Sequence, residues 1–212
     1  MKMNIYNSKG EKLEVYDADD FVWDAKNNEI LLHQVVTTQQ ANQRLGTHST
    51  QTRANVSYST KKLRPQKGTG NSRQGSARSS IRVGGGVAHG PHPRSYRKKL
   101  PKKMKQQAIR IALSNKYRSK DIQVVDKISV KKPSTKDVVK FMENLKCDGK
   151  TLIIMDSPDS NILMSVKNIN NVEVQTASMI NPLQTLRYPN LLFTKDAIKK
   201  IEKIWGKNND IV

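Results

Sequence analysis

Four stretches of this 212-residue chain hold residues whose type and spacing could do chemistry. Lys67-Gly68-Thr69-Gly70 and the run Gly84-Gly85-Gly86 could cradle a phosphate, because glycine lets the backbone close on an anion. Asp156-Ser157-Pro158-Asp159 follows a strand-like run and offers paired carboxylates where α/β folds often place active sites. His89 and His92, in Ala88-His89-Gly90-Pro91-His92-Pro93, could in principle share a metal ion.

None of these completes a catalytic set. A dinucleotide-binding turn needs a third glycine three residues after the second, and that position is Arg73; it must also join a strand to a helix. A P-loop needs Gly-Lys followed by Ser or Thr at the place that Arg73 again occupies. No His or Lys accompanies the carboxylate pair in sequence, so the stretch reads as a turn capping the next helix. The histidines have no Cys or carboxylate nearby to complete a metal site. No catalytic residue, metal or cofactor is therefore expected, and the chain is not read as an enzyme. Cys147 is the single cysteine, placed where a helix ends, which excludes an intrachain disulfide and fits a reducing compartment.

Charge carries the stronger signal. The net charge is +20, from 38 Lys or Arg against 18 Asp or Glu. From Ile30 to Lys120 there are 20 Lys or Arg and no acidic residue, so the whole excess lies in the middle of the chain. A single-sign field concentrated on one excursion is the footprint of a polyanion partner. Within it, residues 46–103 hold only eight large apolar or Tyr side chains against 14 Lys or Arg, eight Gly and four Pro. Ordering a backbone costs roughly 1–2 kcal/mol per residue, and this segment has little apolar surface to offset that alone.

The elements around the excursion read as one α/β domain. Asn4–Tyr6 and Leu13–Tyr16 flank the turn-rich Asn7-Ser8-Lys9-Gly10, predicting a β-hairpin. Leu31, Leu32, Val35 and Val36 give a helix from about Asn28 to Arg44, with Asn27 or Asn28 as cap. A second helix runs from Lys102 to about Arg118, with Met104, Ala108, Ile111 and Ala112 as its stripe. Strands at 122–125, 151–155, 172–176 and 191–194 alternate with helices at 134–147, 160–168 and 195–205. That alternation implies a mainly parallel sheet with helices on both faces. The expected organisation is one globular domain from residues 1–45 and 102–212, with a long basic extended loop, 46–101, inserted between two helices. No apolar run approaches the roughly 20 residues of a membrane helix, and no targeting pattern opens the chain, so a cytoplasmic protein is expected.

RNA is the better polyanion. No helix carries base-reading polar side chains as a duplex-DNA reader would, and a thin basic arm suits a deep, irregular folded RNA. Arg forks onto phosphate, and interleaved glycine permits close approach. The competing readings are a nucleotide-dependent α/β enzyme with a basic RNA-binding arm and an architectural DNA-binding protein.

The ordered motifs Gln66-Lys67-Gly68-Thr69-Gly70, Arg73, Gly75-Ser76-Ala77-Arg78-Ser79, Gly84-Gly85-Gly86-Val87, Gly90-Pro91, Pro93-Arg94 and Lys99-Leu100-Pro101-Lys102-Lys103 resemble the ribosomal protein L4 family (uL4) of the bacterial large subunit. His33-Gln34-Val35-Val36, Gln40-Ala41-Asn42 and Thr194-Lys195-Asp196-Ala197 extend the likeness over nearly the whole chain. The chain departs from many relatives in having Arg64-Pro65 before the Gln-Lys-Gly motif, and Ser80-Ile81-Arg82-Val83 where an aromatic is common.

The resemblance implies an α/β domain seated on 23S rRNA, with the loop lining the polypeptide exit tunnel near protein L22. It also implies a part in early subunit assembly and, in some members, binding to the operon leader RNA. Residue types and resemblance together nominate Arg44, Arg53, Lys61, Lys62, Arg64, Gln66, Lys67, Gly68, Thr69, Gly70, Arg73, Gly75, Ser76, Arg78, Arg82, Gly84, Gly85, Gly86, Arg94, Arg97, Lys98, Lys99, Lys102, Lys103 and Lys105 as rRNA-binding.

Overall fold

The computed structural model describes residues 1–128, 130, 132–147, 149–157 and 159–207. The chain divides into two compact units, one formed by residues 1–40 with those from 99 onward, the other by residues 41–98.

The first unit begins with β1 (Lys2–Tyr6) and β2 (Lys12–Asp17), an antiparallel hairpin. The Asn7 side chain accepts the N–H groups of Lys9 at 2.8 Å and Glu11 at 3.0 Å, which closes the turn as the sequence suggests. Strands β3 (Ile122–Val125), β4 (Thr151–Met155), β5 (Val172–Thr176) and β6 (Asn190–Thr194) run parallel to β1. The described residues thus form a six-stranded sheet in the order β2-β1-β3-β6-β4-β5. The α/β class, the mostly parallel sheet and the N-terminal hairpin expected from the sequence are all present.

Alternation along each strand sends successive side chains to opposite faces. Leu152 and Ile154, Leu191 and Phe193, and Val124 enter one core; Ile153 and Met155, Leu192, and Val125 enter the other. The first face is covered by α1 (Asp20–Trp23), α3 (Lys102–Arg118) and α7 (Lys195–Trp205), through Val22, Trp23, Ile109, Leu113, Ile198 and Ile201. Trp23 stands edge-on to Phe193, ring centres 5.7 Å apart. The second face is covered by α4 (Thr135–Asn144) and α5 (Ser160–Val166), through Val138, Met142, Ile162 and Val166. Each fully buried side chain of this size is worth about 1.5–3 kcal/mol.

α2 (Glu29–Gln43) does not reach the sheet; its Leu31, Leu32 and Val35 pack on Ala108, Ile111 and Ala112 of α3. The Asn28 side chain caps it by accepting the Leu31 N–H at 3.0 Å. Two pieces carry no clear periodicity in the sequence. α1 is a single turn capped by the Asp19 side chain, and α6 (Pro182–Arg187) is capped by Asn181, with Pro182 opening the helix.

Candidate nucleic-acid interface

Between α2 and α3 the chain forms no helix or named strand, only an isolated antiparallel bridge between Lys62 and Ser76. Backbone hydrogen bonds link distant parts of residues 41–98 to one another. Arg94 N–H donates to Gly46 O at 3.1 Å, Thr50 N–H to Pro91 O at 3.1 Å, Val87 N–H to Gln51 O at 2.8 Å and Leu63 N–H to Gly75 O at 3.1 Å. The partners step toward each other along the chain, so an outgoing and a returning arm run antiparallel. At their foot the Asn42 side chain takes the place of a strand partner. Its Oδ1 accepts the Lys98 N–H at 2.7 Å and its Nδ2 donates to Lys98 O at 3.2 Å.

Glycine makes the closest approach of the arms possible. Gly86 is buried, and a Cβ added there would lie 2.2 Å from the Arg53 backbone nitrogen. Gly86, one of the nominated glycines, serves the contact between the arms, because no side chain fits between them. Gly70 is different in kind. It has φ +63° and nothing within 4 Å of its missing Cβ, so its backbone faces open space.

The nominated residues fall into three groups. Arg64, Gln66, Lys67, Gly68, Thr69, Gly70 and Arg73 lie in the turn that joins the arms, all exposed. On the arms, Arg44, Arg53, Lys61, Lys62, Gly75, Gly84, Arg94, Arg97 and Lys98 are exposed, whereas Ser76, Arg78, Arg82 and Gly85 are half-buried. Arg78 is engaged internally, its Nε donating to Tyr58 O at 2.5 Å and its Nη1 to Ala54 O at 3.4 Å. Lys99 precedes α3, and Lys102, Lys103 and Lys105 occupy its first turn, exposed. That turn holds no acidic residue and its Pro101 cap makes no side-chain hydrogen bond. Cations at a helix N-terminus oppose the helix dipole by roughly 0.3–1 kcal/mol each. The sequence retains them where stability alone would favour carboxylates.

Residues 41–98 contain 12 Lys or Arg and no Asp or Glu, so no carboxylate of the unit neutralises its field. Sequence reasoning missed three side chains that shape it: Asn42, His48 and Tyr96. Arg44 Cζ lies 4.0 Å and Arg94 Cζ 4.5 Å from the centre of the Tyr96 ring. The one available signal was an aromatic set between Arg94 and Arg97 in an acid-free window.

The features that suggested catalysis resolve otherwise. Asp156 pairs with Lys200 at 2.5 Å, and Asp159 takes the N-cap position of α5 without a side-chain cap bond; Pro158 between them lies outside the described residues. Cys147 Sγ donates to Gln123 Oε1 at 3.2 Å. Among the described residues no group of three or more His, Cys, Asp or Glu could hold a metal ion, and no helix is long and apolar enough to cross a membrane.

Comparison with known proteins places this basic unit and its α/β partner in one lineage. The sequence model of the ribosomal protein L4/L1 family matches residues 16–204. The large ribosomal subunit protein uL4 of Dehalococcoides mccartyi strain 195 is 42% identical over 209 residues, covering 99% of this chain and 100% of that protein. The proteins of the same name from Desulforamulus reducens and Symbiobacterium thermophilum are 41% and 42% identical, covering 96% and 97% of this chain and 98% and 99% of their own length. A match that runs through both the sheet and the basic arms, at this identity, means that the chain belongs to the ribosomal protein L4/L1 family.

Proposed function

We propose that this chain is a structural constituent of the large ribosomal subunit in the cytoplasm, where it binds 23S rRNA and supports early subunit assembly. In this reading residues 1–45 with 102–212 form the docking domain. Residues 46–101 are an extended loop that lines the polypeptide exit tunnel close to L22. Binding of its own operon leader RNA belongs to the same reading. Membership of a ribosomal protein family makes the chain a component of the ribosome and not an enzyme. The observation that carries the rRNA role is the acid-free unit of residues 41–98 with its 12 cations.

Mechanistically, the arms and the α3 lysines neutralise phosphates, releasing counterions, while exposed glycine backbone in the turn admits RNA to close range. Neutralising about ten phosphates corresponds to a slope of log affinity against log salt of roughly −7 to −9. The test is crosslinking in cells with sequencing of the bound RNA, comparing the full chain with one lacking residues 55–95. Crosslinks concentrated on large-subunit rRNA, with tunnel-wall sites lost in the deletion, are expected. Crosslinks spread over unrelated RNAs or DNA would reduce the arm to a general polyanion tether and refute the reading.

A further inference from the structure

Tyr96 sits among cations that no neighbouring carboxylate neutralises. Arg44 and Arg94 both stand over its ring, at 4.0 Å and 4.5 Å from the centroid, and its hydroxyl lies 3.2 Å from His48 Nε2. Two guanidinia on one ring repel each other, and residues 41–98 supply no Asp or Glu to offset that. The negative face of the ring is what holds them. Stacking uses the flat face of a guanidinium and leaves its in-plane N–H groups directed outward. Neither guanidinium donates a hydrogen bond to any described residue.

The backbone beneath this stack is tied by hydrogen bonds within the unit. Asn42 clamps Lys98, and Arg94 N–H donates to Gly46 O, so Arg44 and Arg94 project from opposite arms at a closed foot. A groove of about 460 Å³ opens beside them, lined by Arg44, Arg94 and Arg97 together with Gly46, and by no acidic side chain. Its walls therefore offer hydrogen-bond donors at fixed spacing to an anion with several oxygens.

We propose that Arg44 and Arg94, stacked on Tyr96, form a preset two-arginine clamp for the sugar–phosphate backbone of RNA, with Tyr96 as its positioning residue. The proposal rests on the rRNA-binding reading above and adds a division of labour to it. The foot of the arms meets RNA already shaped, and Tyr96 is not a platform for a base, because guanidinia occupy its ring.

The test measures binding of the full-length chain to a large-subunit rRNA fragment over a range of KCl. The variants are Tyr96→Leu, Tyr96→Phe, Arg44→Lys with Arg94→Lys, and the combination of the lysine pair with Tyr96→Leu. Tyr96→Leu removes no charge, so it is expected to weaken binding about tenfold with the salt slope unchanged. The lysine pair keeps both charges and loses both planar forks, with the same result. Adding Tyr96→Leu to the lysine pair is expected to change nothing further, and Tyr96→Phe stays close to the unaltered chain. The lysine pair keeps the ring and the foot intact, so the comparison holds even where Tyr96→Leu loosens the arms. Equal losses on Tyr96→Leu in both backgrounds would mean that the ring acts alone, and would overturn the clamp. Unchanged binding by Tyr96→Leu would do the same. Failure of the unaltered chain to prefer this RNA over unrelated RNA would remove the rRNA reading and the clamp together.

Discussion

Glu202 of α7 gathers three donors from a part of the chain about 180 residues away, and its removal tests the packing of the first unit. Tyr16 hydroxyl donates to Oε2 at 2.6 Å, while the Asp19 N–H and Trp23 Nε1 donate to Oε1 at 2.9 Å and 3.1 Å. Trp23 has no exposed surface, so truncating Glu202 leaves its indole N–H buried without a partner. That costs about 1–3 kcal/mol. Tyr16 is half-buried and Asp19 exposed, so water recovers part of their loss, roughly 0.5–1.5 kcal/mol each. Since the three share one acceptor, the sum is not strictly additive, and Glu202→Ala is expected to destabilise by about 3–4 kcal/mol. Glu202→Gln keeps an acceptor for the indole and loses charge assistance, for about 1 kcal/mol. Urea unfolding followed by tryptophan fluorescence gives both values from the midpoint and slope. A Glu202→Ala unfolding free energy within about 0.5 kcal/mol of the unaltered chain's, the low end of a single hydrogen bond, would refute the assignment of Glu202 as the acceptor that makes Trp23 burial tolerable.

Further outcomes follow from other contacts. Burial, then the hydrogen bond to Glu202 and its charge, raise the Tyr16 hydroxyl above its ordinary pKa of 10.0. Its contribution is therefore complete below pH 10.0 and is lost as pH rises beyond that value, so the stability gap between the unaltered chain and Tyr16→Phe shrinks in urea titrations above it. Gly86→Ala forces a methyl into backbone and is expected to lower rRNA-fragment affinity about tenfold or more, whereas Gly70→Ala meets open space and carries only the strain of positive φ, about 1 kcal/mol; limited proteolysis of the arms separates the two. Replacing Arg64, Lys67 and Arg73 together by Ala removes three exposed cations, and the salt slope of binding should fall in magnitude by roughly 2–3, read from anisotropy titrations across KCl.

Much of the first unit was legible because its signals are local. Asn28 and Ser134 mark helix starts by caps that the structure shows, Ser134 Oγ accepting the Asp137 N–H at 3.4 Å. The apolar run Thr151–Met155 is a strand buried on both faces, as a parallel interior strand must be. α6 had a usable signal in Asn181-Pro182, a cap followed by proline at the first helical position, but six residues give too little periodicity to see. Trp23 and Glu202 could not be paired from sequence, since nothing local links an indole to a carboxylate so far along the chain. In the basic unit, charge motivates the polyanion reading but carries no geometry. Sequence treats Gly70 and Gly86 alike, and only the approach of Arg53 to Gly86 separates a glycine that faces space from one that lets the arms meet.

The position of β6 has a consequence for biosynthesis. The last strand of the sheet to be made, Asn190–Thr194, lies between β3 and β4 and hydrogen-bonds to both. Until it leaves the translating ribosome, β2-β1-β3 and β4-β5 are separate halves with no strand to join them. The basic arms, complete by Lys98, are made long before that moment. At roughly 5–20 residues per second, the interval of about 100 residues lasts about 5–20 s. Throughout it, a nascent chain carries its most strongly charged segment in the open, attached to a domain that has no finished sheet, and folding of the domain waits for its final strand.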